Sequence, residues 1–209
     1  MKFVLFHGSY GSSEGNWFPY LKNQLELINQ DVLVPQFPIE DHKEILHLGE
    51  KKAKTIKQNL KNWLNYFKKN LLNKLKGKKD LVFVGHSLAP VFILHLVDNF
   101  NLKLDCVVFV SPFLQLPKDL WDFYLVNQTF YKTDFDFAKL KKLIPVSYVV
   151  YGNDDPYVDK KYIFDFAERM DSQTIEIMGG KHLNSEAKFL SFPLVFELCK
   201  SRLETKEYL

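Results

Sequence analysis

The sequence predicts an α/β fold built as a doubly wound parallel sheet. Short apolar runs rich in β-formers alternate with longer amphipathic segments along all 209 residues. Most of these runs are apolar on both faces, as strands covered by helices above and below must be. No repeat, low-complexity stretch or linker interrupts the alternation. Right-handed crossovers then put helices on both faces of one sheet, and a single domain over 1–209 is expected.

The first strand is read at Lys2–Phe6 and the first helix at Asn16–Asn29. Asp31–Pro35 is the second strand. Glu50–Lys76 reads as one long helix, because Ala53, Ile56, Leu60, Trp63, Phe67, Leu71 and Leu75 recur at steps of three and four. Strand three is Leu81–Gly85, followed by Leu88–Asn99, a helix apolar almost all round and so the most deeply buried. Asp105–Ser111 is strand four and Val146–Gly152 strand five. Tyr157–Met170 is a helix, Thr174–Met178 strand six, and Glu186–Leu203 the last helix, with Asn184 and Ser185 as N-cap candidates. The stretch 112–142 fits neither period and is rich in aromatics, among them Phe113, Trp121, Phe123, Tyr124, Phe130 and Tyr131. It is read as a lid over a pocket or a satellite core.

Composition narrows the class. At 46% hydrophobic and 15% aromatic the chain is not disordered, and 9 Gly and 9 Pro exclude collagen-like order. Cys106 and Cys199 lack the spacing of a zinc or redox motif and read as free buried thiols, which suits a reducing compartment. No stretch of about 18 apolar residues is present, so a cytoplasmic protein is expected. Net charge is +3, yet eleven lysines and no acid lie between Lys51 and Lys79, so the remainder carries −8. Packing the apolar stripe of Glu50–Lys76 on the sheet leaves those lysines as a solvated face. Without arginine or a nucleic-acid motif there, neither a nucleic acid nor a membrane is an expected partner.

The chemistry is signalled at Gly85-His86-Ser87-Leu88-Ala89, where a buried strand turns directly into an apolar helix. A serine on such a strained turn stands above the sheet edge, beside the amides and positive dipole of a helix N-terminus. Gly85 and Ala89 let strand and helix approach. Two further loops leave the same edge of a parallel sheet: Gly152-Asn153-Asp154-Asp155-Pro156 after strand five and Gly180-Lys181-His182-Leu183-Asn184 after strand six. The order Ser, Asp, His is that of hydrolases whose serine attacks an acyl carbon while histidine moves the proton. On the residues alone, either Asp154 or Asp155 serves as the acid.

These motifs, with His7-Gly8-Ser9 after the first strand and Trp17 in the first helix, resemble the RBBP9/YdeN-like small serine hydrolases of the α/β-hydrolase superfamily. The resemblance runs from Val4 to about Leu203. It implies a minimal α/β-hydrolase fold with strand order 2-1-3-4-5-6, so that the ends of strands one and three face each other at the switch point where ligands bind. It implies Asp155, directly before Pro156, as the acid. The expected roles are then Ser87 as nucleophile, His182 as base and Asp155 as its partner. The amides of Leu88 and Ser9 form the oxyanion hole, with Gly8 or Tyr10 as alternatives to Ser9. His7, Gly8, Tyr10, His86, Phe113 and Trp121 are the expected substrate-binding residues. The substrate is a small-molecule ester or related acyl compound, with no metal or cofactor. The family usually has glycine where this chain has Lys181.

Three features read as bland. His42 and His47 fall in an irregular loop without a metal signature. His95 is expected to be a hydrogen-bonded core residue. The competing class, a hydrolase fold used as a protein-interaction module, lacks the Leu-x-Cys-x-Glu motif that such a role implies, since Cys199 is followed by Lys200 and Ser201.

Overall fold

A computed structural model describes residues 1–204. The elements in chain order are β1 Lys2–Phe6, α1 Phe18–Leu27, β2 Asp31–Leu33, α2 His42–Leu48, α3 Leu60–Asn70, α4 Leu72–Leu75, β3 Leu81–His86, α5 Ala89–Phe100, β4 Cys106–Val110, α6 Trp121–Asn127, α7 Phe137–Leu143, β5 Ser147–Gly152, α8 Lys160–Met170, β6 Gln173–Ile177 and α9 Pro193–Glu204. The six strands form one sheet, every pair parallel, in the order β2-β1-β3-β4-β5-β6. This is the doubly wound parallel sheet that the alternation predicts, in the α/β-hydrolase strand order that the resemblance implies.

Side chains alternate across the sheet even though β1, β3 and β4 are buried almost throughout. Phe3, Leu5, Val82, Val84 and Val108 meet Trp17, Phe18 and Leu21 of the α1 side and Val195 of α9. Val4, Phe6, Phe83, Val107 and Phe109 meet Trp63, Phe67, Phe92 and Phe166 on the opposite face. Each buried aromatic of this kind contributes about 2–3 kcal/mol of transfer free energy. Only β6, an edge strand, alternates between exposed and half-buried positions. No helix among the described residues is long and apolar enough to cross a membrane.

Three helix expectations change. Glu50–Lys76 is not one helix: it is helical only from Leu60, with a break at Leu71, and 50–59 is irregular. Long-range partners take the backbone groups that a helix would have used. The Glu40 carboxylate accepts the amides of Ile56 and Lys57, Gln58 is buried, and Asn59 caps α3 by accepting from the Asn62 amide at 2.9 Å. Ile56, placed in the buried stripe by its spacing, is 74% exposed. The last helix starts at Pro193, not Glu186, because proline belongs in a first turn and lacks the amide an interior position needs. Asn184 instead caps a short 3-10 turn, Ser185–Ala187. Finally, His42–Leu48 is a helix, capped by the Asp41 side chain and stopped at Gly49, where φ is 70°.

The 112–142 stretch divides. Phe130, Phe135 and Leu140 join the main core, while α6 faces the site.

Candidate active site

Ser87 is held at φ 62°, a left-handed conformation that costs a non-glycine residue about 1–2 kcal/mol. The turn is fixed on one side by the Ser87 amide donating to the Val110 carbonyl at 2.9 Å. On the other side Gly85 packs so closely that a Cβ there would sit 2.7 Å from Ile93 Cδ1 and 3.2 Å from Ala89.

The three loops at the carboxyl edge converge. His182 Nε2 lies 3.0 Å from Ser87 Oγ, and His182 Nδ1 lies 2.8 Å from Asp155 Oδ2. The other oxygen, Asp155 Oδ1, accepts the amides of Tyr157 and Val158 at 2.9 and 3.1 Å. The Asp155 side chain is only 1% exposed. A buried carboxylate with both oxygens occupied fixes which ring nitrogen of His182 carries the proton, leaving Nε2 free to accept. Asp154 does something else: its Oδ1 accepts the Lys181 amide at 2.7 Å, and Asn153 Oδ1 accepts the Gly179 amide at 2.8 Å. These two side chains stitch the histidine loop to the acid loop. Gly152 makes the approach feasible, since a Cβ there would clash severely with the Lys181 backbone. Lys181 itself sits at φ 47°, the left-handed conformation that glycine adopts without strain.

Two buried rings brace this loop from below. His86 Nε2 donates to the His182 carbonyl at 2.8 Å, and Trp17 Nε1 donates to the Leu183 carbonyl at 2.9 Å. Burial, reinforced by His182, pulls the His86 imidazole down to about 3, so it stays neutral and keeps its acceptor nitrogen unprotonated. His86 borders the cavity, where the sequence places it, and its bond to the His182 carbonyl also makes it a support for the histidine loop.

The loop after β1 closes against the serine. A Cβ on Gly8 would lie 2.7 Å from Ser87 Cβ and 2.9 Å from the His86 carbonyl, so glycine is required there. His7 is corrected: its ring does not reach the cavity and is 1% exposed. Its Nδ1 donates to the Gly8 carbonyl at 2.9 Å while Nε2 accepts the Phe37 amide at 3.0 Å, and burial brings its pKa down to about 4. Both nitrogens are thus committed to shaping the loop. The Tyr10 amide is committed too, donating to Gln58 Oε1 at 3.1 Å, which removes it as an oxyanion donor. Ser9 Oγ donates to Asn127 Oδ1 at 2.6 Å, and Gln58 Nε2 reaches the same oxygen at 3.3 Å.

A cavity of about 990 Å³ opens over Ser87 and His182. Its wall includes Tyr10, Phe113, Phe123, Tyr124, Tyr131 and Tyr157. Gly8, Tyr10 and Phe113 are where the sequence places them. Trp121 is not: it lies outside the cavity, and Leu120, Phe123 and Tyr124 line it instead, because α6 turns its first residue away.

Sequence reasoning missed Gln58, Asn127, Tyr157 and His42. The Tyr157 ring meets the His182 ring edge-on at 5.0 Å, and its hydroxyl donates to Glu186 at 2.8 Å. Burial and Glu186 push that hydroxyl up to about 12. His42 is no loose loop residue: it borders the cavity, stacks on Tyr10 at 4.3 Å, and pairs with Asp122 of α6 at 2.7 Å. None of the four carries a local motif; only tertiary contact marks them. His95 behaves as expected, with Nε2 on the Phe130 carbonyl at 2.8 Å.

Known proteins share this fold. The serine hydrolase family model matches residues 3–201. The YdeN hydrolase of Bacillus subtilis strain 168 is 24% identical over 201 residues, covering 94% of this chain and 93% of that one. The crystal structure of the B. subtilis ydeN product superposes with a TM-score of 0.80 at 22% identity, covering 97% of this chain and 98% of the other. Est1E of Butyrivibrio proteoclasticus, solved with ferulic acid bound, gives a TM-score of 0.66 at 16% identity, covering all of this chain and 90% of its own.

Proposed function

The chain belongs to the serine hydrolase family, and within it we propose that it hydrolyses a small carboxylic ester through an acyl-enzyme formed on Ser87. The observation that carries this reading is the continuous relay from Asp155 through His182 to Ser87, at 2.8 and 3.0 Å.

Ser87 Oγ attacks the ester carbonyl as His182 Nε2 takes its proton. The charge that appears on the imidazole is met by Asp155, which stays ionised. The carbonyl oxygen becomes an oxyanion beside the amide of Leu88, at the start of α5, and the amide of Ser9, whose loop is pressed against Ser87 through Gly8. Each such donor contributes about 3–4 kcal/mol to the transition state. His182 then protonates the leaving alcohol. Water, deprotonated by the same nitrogen, attacks the acyl carbon and releases the acid and Ser87. All of these proton transfers run through one nitrogen, so no cofactor enters the scheme. The aromatic wall supports an apolar or aromatic group on the acyl or alcohol side.

A fluorophosphonate probe tests the nucleophile: it is expected to label native protein and to leave Ser87→Ala unlabelled. A panel of p-nitrophenyl esters tests turnover. Labelling that survives Ser87→Ala, or turnover independent of Ser87, overturns the reading and favours an interaction module.

A further inference from the structure

Three strongly exposed apolar side chains fall within one short excursion of the chain. Leu46 is 50% exposed, Leu48 48% and Ile56 74%. The excursion runs over 41–56 and returns to its starting point, because Glu40 accepts the amides of Ile56 and Lys57. Its inner side is fully used. Ile45 and Ala53 are buried, Thr55 Oγ1 donates to the Leu125 carbonyl at 2.9 Å, and His42 pairs with Asp122. Exposed along the same segment are the two leucines, Ile56 and the lysines at 43, 51, 52, 54 and 57. The acids Asp41, Glu44 and Glu50 leave the segment with a net positive charge.

Leu27, Phe164, Met178 and Leu190 are exposed elsewhere on the surface, but among the described residues only here do three large exposed apolar side chains fall in one segment. Exposed apolar groups interspersed with an excess of lysine fit binding at the headgroup layer of a bilayer, where one part is buried and the other meets phosphate. We propose that this excursion docks the protein on an anionic membrane surface, with Leu46, Leu48 and Ile56 entering the headgroup layer. The charge selects the occupant: the lysines complement a negatively charged lipid surface. The absence of arginine from the segment fits attraction to a diffuse field rather than a single bidentate phosphate site. The excursion also abuts α6, whose Phe123 and Tyr124 line the cavity. Docking there sets the cavity beside the lipid, which fits an amphiphilic ester drawn from the bilayer. That last step rests on the proposed hydrolase reading, whereas the docking does not.

Co-sedimentation with phosphatidylglycerol vesicles and with pure phosphatidylcholine vesicles tests the docking. Wild type and Ser87→Ala are expected to bind the anionic vesicles equally, at least about tenfold more weakly as salt rises from about 50 to about 500 mM. Lys51→Gln, Lys52→Gln, Lys54→Gln and Lys57→Gln together are expected to remove this binding. Leu46→Ser, Leu48→Ser and Ile56→Ser together are expected to weaken it at low salt as well. Lys68→Gln, Lys69→Gln, Lys74→Gln and Lys76→Gln, on and around α3 and α4, are expected to leave it intact. Circular dichroism confirms that each variant is folded, which surface changes of this kind preserve. No binding to anionic vesicles at low salt overturns the proposal, as does equal loss with the α3–α4 lysines. Lipid-free self-association abolished by the same substitutions assigns the surface to a second copy of the chain and equally overturns it. Wild-type protein that binds the vesicles but takes up no fluorophosphonate removes the hydrolase reading alone.

Discussion

Two sides of one cavity are built differently. On the sheet side, the acid and base hang from strand ends and are shielded from water: the Asp155 side chain is 1% exposed and the His182 side chain 9%. Their braces, His86 and Trp17, are buried rings on main-chain carbonyls. On the opposite side, 41–59 and α6 are attached to each other and, through Gln58 and Asn127, to the loop after β1. His42 and Asp122 pair with 37% and 13% of their side chains exposed, and Thr55 reaches the backbone of α6. The first construction fixes individual atoms; the second holds a shape. Reaction geometry therefore belongs to the sheet edge, and the wall sets what fits.

The sharpest way to break this contrast is at the two adjacent aspartates. Asp155→Asn is expected to lower kcat by about 10⁴-fold, because it disfavours the His182 tautomer and the imidazolium. Asp154→Ala, which costs only the Lys181 amide its acceptor, is expected to keep activity within about tenfold and to lose about 1 kcal/mol of stability. Steady-state kinetics on both variants with one ester reverse the assignment if the losses are interchanged.

Gly8→Ala is the next largest. The added methyl would meet Ser87 Cβ at 2.7 Å, so the loop must retreat and carry the Ser9 amide away. A loss of about 10²–10³-fold in kcat is expected, with KM changing little. By contrast Asp122→Asn, which weakens the wall's half-exposed pair with His42, is expected to raise KM a few-fold and leave kcat near that of wild type. Comparable kcat losses from both would erase the distinction.

Acid sharpens it further. His7 and His86 are neutral in the folded state, with pKa values brought down to about 4 and about 3, while in the unfolded chain each takes a proton near 6.5. Between about pH 6.5 and 4 the unfolded state therefore binds more protons, and stability falls as pH falls, on the order of 1 kcal/mol per pH unit for each ring. Above pH 6.5 both contributions are complete. Denaturant unfolding at pH 7 and pH 5 measures the slope. A flat profile would mean that the braces of the sheet edge are not buried neutral rings.

The smallest effect is at Lys181. Relieving its φ of 47° with Lys181→Gly is expected to stabilise the fold by about 1 kcal/mol, read as a rise of a few degrees in Tm.

What the sequence determined by itself lies in short-range signals. Apolar runs located all six strands to within about two residues, since a buried strand must be apolar on both faces. Glycine, serine and proline at strand ends marked the loops that meet over the sheet edge, because sharp turns and close approaches demand small or rigid residues. The resemblance supplied the strand order that the structure shows. Tertiary structure alone decided what depends on a distant partner. Ile56 fits an apolar helical stripe by spacing, yet Glu40 takes its amide and leaves its side chain in water. His7 stands beside the nucleophile in the topology, yet the Phe37 amide and the Gly8 carbonyl turn it inward. Gln58 and Asn127 carry no pattern, and they hold the loop after β1 from 48 and 118 residues away. Periodicity reports which face of an element is apolar. It does not report which polar group, folded in from elsewhere, will claim a backbone amide, and that competition shaped the cavity wall.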